Sequence, residues 1–336
     1  MTSPHPLEIL DLRHFNARQL RPLLEVEAQL WQRRLHWDYE SSTELLLQYL
    51  DSRILPGFVA LDLGRICGYC FCVYEGTKAV VGDVFAEPSP NATAITQTLA
   101  RHLFAVLDAS PEVQRIEAQL LLFEPSQLGA AFAPAAFDVY PRLFLERALA
   151  AETGSAGTPA LPPAIELAAW SPVFYQPAAE LIQAAYIGHI DSQINDQYRT
   201  LAGSLRFLHN VIRFPGCGVF DPEVSFVLRQ RATGALVGIV LCSRVAPTVA
   251  HVTQLCIAPS FRGAHLGRSL LRVSLAQLAA RGYDALTLTV TEANKAALHL
   301  YQDEGFHTRQ RFDALVLEKS APPRRPTLLS RITSTR

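Results

Sequence analysis

The stretch QLCIAPSFRGAHLGRSLLRV, residues 254–273, holds the residues whose types and spacing best suit chemistry. An apolar strand runs into Pro259, a turn carries Arg262, Gly263 and Gly267, and an amphipathic helix follows at once. Successive backbone N–H groups at a helix N-terminus, with glycine removing side-chain bulk, cradle an anion such as a pyrophosphate. The backbone available for such a cradle runs through Gly263, Ala264, His265, Leu266, Gly267, Arg268 and Ser269. It is not a Walker A loop, because the glycines of GAHLGRS enclose three residues instead of four and Arg268 occupies the place of the lysine. No G-x-G-x-x-G fingerprint is present, which argues against a Rossmann dehydrogenase. A strand, a turn and a helix with two glycines also serve as a plain tight connection, so the next segment decides. In LTLTVTEANKAALHLYQDEGF, Asn294 and Tyr301 lie seven residues apart, about two helical turns. They face the same way on one helix, with Leu298 between them. The plain alternative for Tyr301 is a core tyrosine in a helix seam.

Positioning these groups requires a strand, a turn and two helices, and the second half of the chain supplies them in order. Apolar periodicity predicts a strand over Ile165–Ala169, helices across about 176–212, and strands near Val224–Gln230, Leu236–Ser243 and His251–Ile257. A helix over Leu266–Arg281, a strand over Ala285–Val290, a helix over Ala293–Glu304 and a closing strand over Ala314–Glu318 follow. Leu270, Leu271, Leu275 and Leu278 make one apolar stripe, and Gly282 caps the end of their helix. The first half repeats this plan. FVALDLGRICGYCF from Phe58 matches FVLRQRATGALVGIVL from Phe226, and AVVGDVFAEPS from Ala79 matches AHVTQLCIAPS from Ala250. Phe58, Gly68, Ala79 and Pro88 are spaced 10, 11 and 9 apart; Phe226, Gly238, Ala250 and Pro259 are spaced 12, 12 and 9. Such agreement in order and spacing indicates a duplicated α/β domain. Between the copies, AAETGSAGTPALPPA (150–164) is mostly small residues and prolines and reads as a linker. The expected division is therefore 1–149, a linker over 150–164, 165–319, and a basic tail over 320–336 expected to be flexible.

The length of 336 residues fits two domains, and 49% hydrophobic against 18% charged residues gives both of them material for a core. With 30 Lys plus Arg against 31 Asp plus Glu, the net charge of −1 offers no footprint for nucleic acid or an anionic membrane. No apolar run approaches the ~18 residues that span a bilayer, and MTSPHPLEILDLRHF has no signal-peptide core, so a soluble cytoplasmic protein is expected. Six cysteines are too few for a disulfide scaffold. Cys67, Cys70 and Cys72 fall on a predicted strand with no second ligand pair, so they are expected to be core residues and no metal is expected.

Taken together, the turn and the Asn294–Tyr301 helix resemble the GNAT superfamily of acyl-CoA-dependent N-acyltransferases, over about Ile165 to Lys319. The family's turn, Arg or Gln, two residues, Gly, one residue, then Gly or Ala, falls on Arg262, His265 and Gly267, with His265 replacing the inner glycine. The cradle then requires that His265 take a right-handed conformation. The resemblance implies two GNAT-like domains, each a mixed, largely antiparallel twisted sheet flanked by helices, using acetyl-CoA as co-substrate. It implies that the Leu255 N–H polarises the thioester carbonyl and that the backbone of Leu255, Cys256 and Ile257 pairs with pantetheine as an added strand. Asn294 would hold pantetheine, and Tyr301 would protonate the departing thiolate. The position matching the family's base is His251, whose unperturbed pKa near ~6.5 suits the task, unless protons pass through water. Tyr186, His189, Asp191 and Tyr198 would shape the pocket for the acceptor, a small-molecule or peptide amine, or else belong to a solvated loop. The first copy has lost the turn: EPSPNATAITQTL retains neither the arginine nor a glycine, and Val80 sits in the place of His251. It is expected to be a non-catalytic copy, and a protein that holds acyl-CoA without turnover is the competing expectation.

Overall fold

The computed structural model describes residues 7–125, 127, 137–149, 161–214, 216 and 218–319. Most of the expected linker (150–160) and the basic tail (320–336) lie outside the described residues. The first half runs β1 (Glu8–Asp11), α1 (Ala17–Leu35), α2 (Glu40–Asp51), β2 (Gly57–Asp62), β3 (Arg65–Glu75), β4 (Lys78–Ala86), α3 (Ala92–Ala109), β5 (Arg115–Gln119) and β6 (Asp138–Ala148). In the second half come β7 (Ile165–Ala169), α4 (Tyr175–Tyr186), α5 (Leu201–Arg213), β8 (Val219–Phe220), β9 (Phe226–Gln230), β10 (Leu236–Ala246) and β11 (Val249–Ile257). It ends with α6 (Leu266–Ala280), β12 (Ala285–Thr291), α7 (Lys295–Asp303) and β13 (His307–Glu318). The closing strand is thus longer than the expected Ala314–Glu318. The helical region before β8 is broken, with short turns at Asp191–Ile194 and Asp196–Arg199 between α4 and α5.

Helices cover both faces of the sheet, which is why its inner strands are continuous apolar runs. In β10 every residue from Val237 to Ser243 is buried. On the second half, α6 and α7 pack Leu270, Leu271, Leu278 and Leu298 on one face, and α4 and α5 pack Ile182 and Leu208 on the other. The first half does the same with Leu99, Leu103 and Leu107 of α3 against Leu20, Leu24 and Leu47 of α1 and α2. Cys67, Cys70 and Cys72 are buried on β3. Burial pushes the Cys72 thiol up to about 11 and that of Cys70 higher still.

The two sheets are one. The strand order β1-β2-β3-β4-β5-β13-β6-β12-β11-β10-β9-β7 is symmetric about its centre, with β8 pairing to β10 off this path. Each half gives its last strand to the other. β6 pairs antiparallel with β12, Ala148 opposite Ala285 and Arg142 opposite Thr291, and β13 pairs antiparallel with β5, Ala314 opposite Gln119. The exchanged strands then pair with each other, from His307 opposite Glu146 to Val316 opposite Asp138. The boundary between residues 149 and 165 therefore divides the sequence repeat, and the sheet crosses it. Trp37, Phe144, Val249 and Phe312 form a separate core at this junction.

A buried charge cluster ties the halves together beside the exchanged strands. Lys78 of β4, 6% exposed, lies 3.1 Å from Glu75, 3.4 Å from Glu117 and 2.6 Å from Asp196, the last belonging to the second half. Arg115 of β5 bonds Glu117 at 2.5 Å, pairs with Glu318 of β13 and donates to the Gln193 carbonyl at 2.6 Å. Gln197 donates to Glu75 at 3.1 Å. The 191–199 segment is held by this first-half cluster.

Because each half lacks an inner strand without the other, residues 1–149 and 161–319 expressed separately should each fail to give a dispersed amide NMR spectrum. Co-expressed, they should co-purify as a folded 1:1 complex. A cooperative, native-like unfolding transition in either fragment alone would rule out the exchanged topology.

Candidate active site

Among the described residues the sheet has two parallel ladders, one in each half, and both are short. β11 and β12 pair from Val249–Ala285 to Val252–Leu288 and then part, while β11 runs on to Ile257 and β12 to Thr291. On its other edge β11 stays paired with β10, and the Ala258 N–H donates to the Val237 carbonyl at 2.8 Å. Antiparallel ladders alternate between bonded and non-bonded pairs. The same alternation turns the N–H and C=O groups of Leu255 and Ile257 away from β10 and into the gap. Cys256 points instead into the core under α4, where burial pushes its thiol up to about 12.

The gap opens into a cavity of about 610 Å³. It is closed on one side by the turn that leads to α6. Arg262 is extended, Gly263 has φ 81° and His265 has φ 55°, ψ 14°. The right-handed conformation expected of His265 is therefore corrected: the chain enters α6 through a left-handed residue, which glycine adopts freely and a histidine only with strain of about 1–3 kcal/mol. No side chain caps α6, so its first N–H groups face the cavity without an internal acceptor. The Arg262 guanidinium donates to the Ala185 carbonyl at 2.5 Å and fixes the turn to the end of α4. Arg268 lies on the cavity wall but is paired with Asp303 at 2.6 Å. Of the residues expected at this cradle, Ser269 is buried with its hydroxyl on the His265 carbonyl at 3.3 Å, and neither it nor Ala264 lines the cavity.

Tyr301 of α7 closes the inner end. It is 7% exposed, its ring meets the edge of Phe306 at 5.8 Å, and burial raises its pKa well above the ordinary phenol value. Asn294 is the N-cap of α7, its Oδ1 accepting from the Ala297 N–H at 3.3 Å, so its carbonyl already has a structural duty. The Asn294 Nδ2 lies 3.3 Å from His189 Nε2. His189 Nδ1 accepts from the Asp191 N–H at 3.2 Å and lies 3.5 Å from the Asp191 carboxylate, whose other oxygen is bonded by the Thr291 hydroxyl. Tyr186 stacks on Tyr198 at 4.3 Å and donates to Gln254 at 3.0 Å. The expected acceptor residues Tyr186, His189, Asp191 and Tyr198 thus converge, held by an ordered segment in place of a solvated loop.

His251 is correctly placed on β11 but does not have the ordinary basicity expected of it. It is wholly buried between Trp37 at 5.0 Å and Phe144 at 5.7 Å, both from the first half. Desolvation, with the nearby Arg142 charge, lowers its pKa to about 3. The Thr287 hydroxyl donates to the Ala250 carbonyl at 3.1 Å, so the 2.9 Å contact with His251 Nδ1 makes that nitrogen the donor and leaves Nε2 the lone pair.

A second cavity of about 250 Å³ continues past Tyr301, Asn294 and Leu255 toward Tyr186 and Asp191. Its walls include Gln119 and Arg142, which the sequence pattern of the second half had no means to reveal because they arrive on first-half strands. Among the described residues no three His, Cys, Asp or Glu side chains gather as a metal site, and no helix is long and apolar enough to cross a membrane.

Residues 192–306 match the acetyltransferase (GNAT) family profile. Mycothiol acetyltransferase of Thermobispora bispora is 39% identical over 102 residues, 29% of this chain and 34% of that protein. The homologue from Thermomonospora curvata is 36% identical over 104 residues, 31% of this chain and 33% of its own length, so the chain matches only about a third of either relative. Across nearly the whole chain the fold is that of a GCN5-related N-acetyltransferase from Sphaerobacter thermophilus, with TM-score 0.64 at 14% identity, covering 96% of this chain and 100% of that one. A tandem GNAT protein from the clavulanic acid biosynthesis pathway superposes with TM-score 0.59 at 18% identity, covering 95% and 99%. Residues 192–306 thus match the GNAT acetyltransferase family, and the fold across nearly the whole chain is that of GNAT proteins.

Proposed function

We propose that the chain transfers an acetyl group from acetyl-CoA directly to an amine of a small molecule or peptide, in a ternary complex held by its second half. One observation carries this reading: a single cavity is bordered by the turned-out edge of β11, the uncapped N-terminus of α6 and the phenol of Tyr301. A long ligand with amides in its middle and a pyrophosphate at one end matches that sequence of features. The Leu255 and Ile257 edge would pair with the amides as an added strand. The first N–H groups of α6, about Gly267 and Arg268, would hold the pyrophosphate. The Leu255 N–H would face the thioester oxygen, where negative charge gathers as the acceptor nitrogen attacks. As the new C–N bond forms, the C–S bond breaks and the thiolate takes the proton of Tyr301, which burial keeps protonated at any physiological pH.

The proton released by the amine needs another acceptor. His251 is ill suited, since an imidazole held at about 3 is a feeble base. His189 fits better. It lines the same cavity as Tyr301, its side chain is 26% exposed, and it lies 3.5 Å from the Asp191 carboxylate. Among the described residues the first half supplies no such set.

Replacing Tyr301 with Phe should lower kcat by about 10²- to 10⁴-fold while acetyl-CoA affinity, read by calorimetry, is retained. Unchanged turnover would remove Tyr301 from the chemistry, and acetyl-CoA binding with no CoA released from a broad amine panel would leave only a carrier. The histidines separate by pH. The acid limb of kcat/KM should persist in His251→Gln and vanish in His189→Gln. His251 acts on stability instead: with a folded pKa of about 3 against an unfolded 6.5, the unfolded chain binds the extra proton between these values. Stability should fall by up to about 1.4 kcal/mol per unit as pH drops below ~6.5, and His251→Gln should flatten that slope in urea titrations.

A further inference from the structure

The acceptor-side cavity contains a cation that the protein leaves without a counter-charge. Arg142 is on β6, the strand the first half lends to the second, and its guanidinium lies against β5 and β12. One terminal nitrogen donates to the Gln119 side-chain oxygen and the other to the Thr289 hydroxyl at 3.3 Å, both neutral. The Phe312 ring lies 5.9 Å from its guanidinium carbon. Nε is buried with no partner, and no carboxylate among the described residues comes within ion-pair distance of Arg142. His251, also in this cavity, stays uncharged and cannot answer it. A buried or half-buried guanidinium without an anion is costly, and a planar fork of this kind matches a carboxylate with two parallel hydrogen bonds.

Asp191, the one carboxylate among the described residues on this cavity's wall, is engaged by Thr291 and His189. The cavity thus presents an anion near the reacting end and an unanswered cation near β6. At about 250 Å³ it is smaller than the ~300–1,000 Å³ of sites for drug-sized ligands, so what enters it is small. We infer that the acceptor is a small amine that also carries a carboxylate, an amino-acid-class molecule, and that Arg142 binds that carboxylate while the amine faces Tyr301. This rests on the acetyl-transfer reading above and specifies its substrate class. It also gives the first half a direct part in recognition, since Arg142 and Gln119 both belong to it.

The test compares matched pairs: histidine with histamine, tyrosine with tyramine, tryptophan with tryptamine, and ω-amino acids with alkylamines of equal length. Each member is measured both for CoA release and, by calorimetry on the protein saturated with CoA, for binding. The carboxylate-bearing members should be preferred by about 10- to 100-fold in kcat/KM and in Kd. Arg142→Gln should abolish that preference, and Arg142→Lys, which keeps the charge without the fork, should retain part of it. Should Arg142→Gln prove unfolded, the parent's pairwise preference and the Lys variant decide the matter. Equal or better binding of the decarboxylated amines, or no binding by any carboxylate-bearing member, overturns the inference. Selective binding of amino acids that depends on Arg142, but without CoA release, would uphold this pocket and overturn acetyl transfer.

Discussion

Four residue pairs of parallel ladder, ending at Val252 and Leu288, are the constraint on which the site depends. Past them β11 has a partner on one edge only, so the backbone N–H and C=O groups of its other edge are left to solvent or to a ligand. The free edge faces the cavity, where a ligand strand has room to pair with it. The other elements follow from that opening. α6 starts at the mouth of the gap because the chain turns back there through Gly263 and His265, and α7 lays Tyr301 across its inner end. Arg262 on the Ala185 carbonyl keeps the turn from drifting toward or away from the cavity.

The exchange of β6 and β13 determines what the first half does. Its own parallel ladder also ends after four pairs, at Val81 and Ala118, but its gap leads to a cavity of about 300 Å³ bordered by Phe85, Leu122 and Phe123, with Ala92 and Thr96 at the places of Gly263 and Gly267. The duplicated architecture has survived there and the anion cradle has not. What the first half contributes lies across the junction: Trp37 and Phe144 against His251, Lys78 and Arg115 on the segment bearing Asp191 and Asp196, and Arg142 in the acceptor cavity. A cation as deeply buried as Lys78 stabilises such a junction only because three carboxylates surround it.

Much of this was legible in the residues. The duplication shows in landmark spacing, the strand-turn-helix unit shows in QLCIAPSFRGAHLGRSLLRV, and Asn294 and Tyr301 do border the same cavity, as their helical spacing requires. What the sequence hides is whatever depends on which strand lies beside which. Hydrophobic period marks a strand and its buried face, and it is blind to the identity of its neighbour, so β6 and β13 read as the ends of their own domains. The burial of His251 follows from rings over 100 residues away in sequence, which is why its neighbourhood was invisible and its basicity misjudged. His265 departs for another reason: the turn geometry demands a positive φ there, and that demand outweighs the histidine's own preference.

The central claim, that the freed edge of β11 is completed by acyl-CoA, is tested most directly by residue-resolved amide hydrogen exchange with and without acetyl-CoA. The account predicts that the Leu255 and Ile257 amides, together with those of the first turn of α6, become strongly protected on addition of the ligand, while Val84 and Ala86 at the corresponding place in β4 do not change. Protection at β4 with none at β11, or binding that leaves both edges exchanging freely, would contradict it.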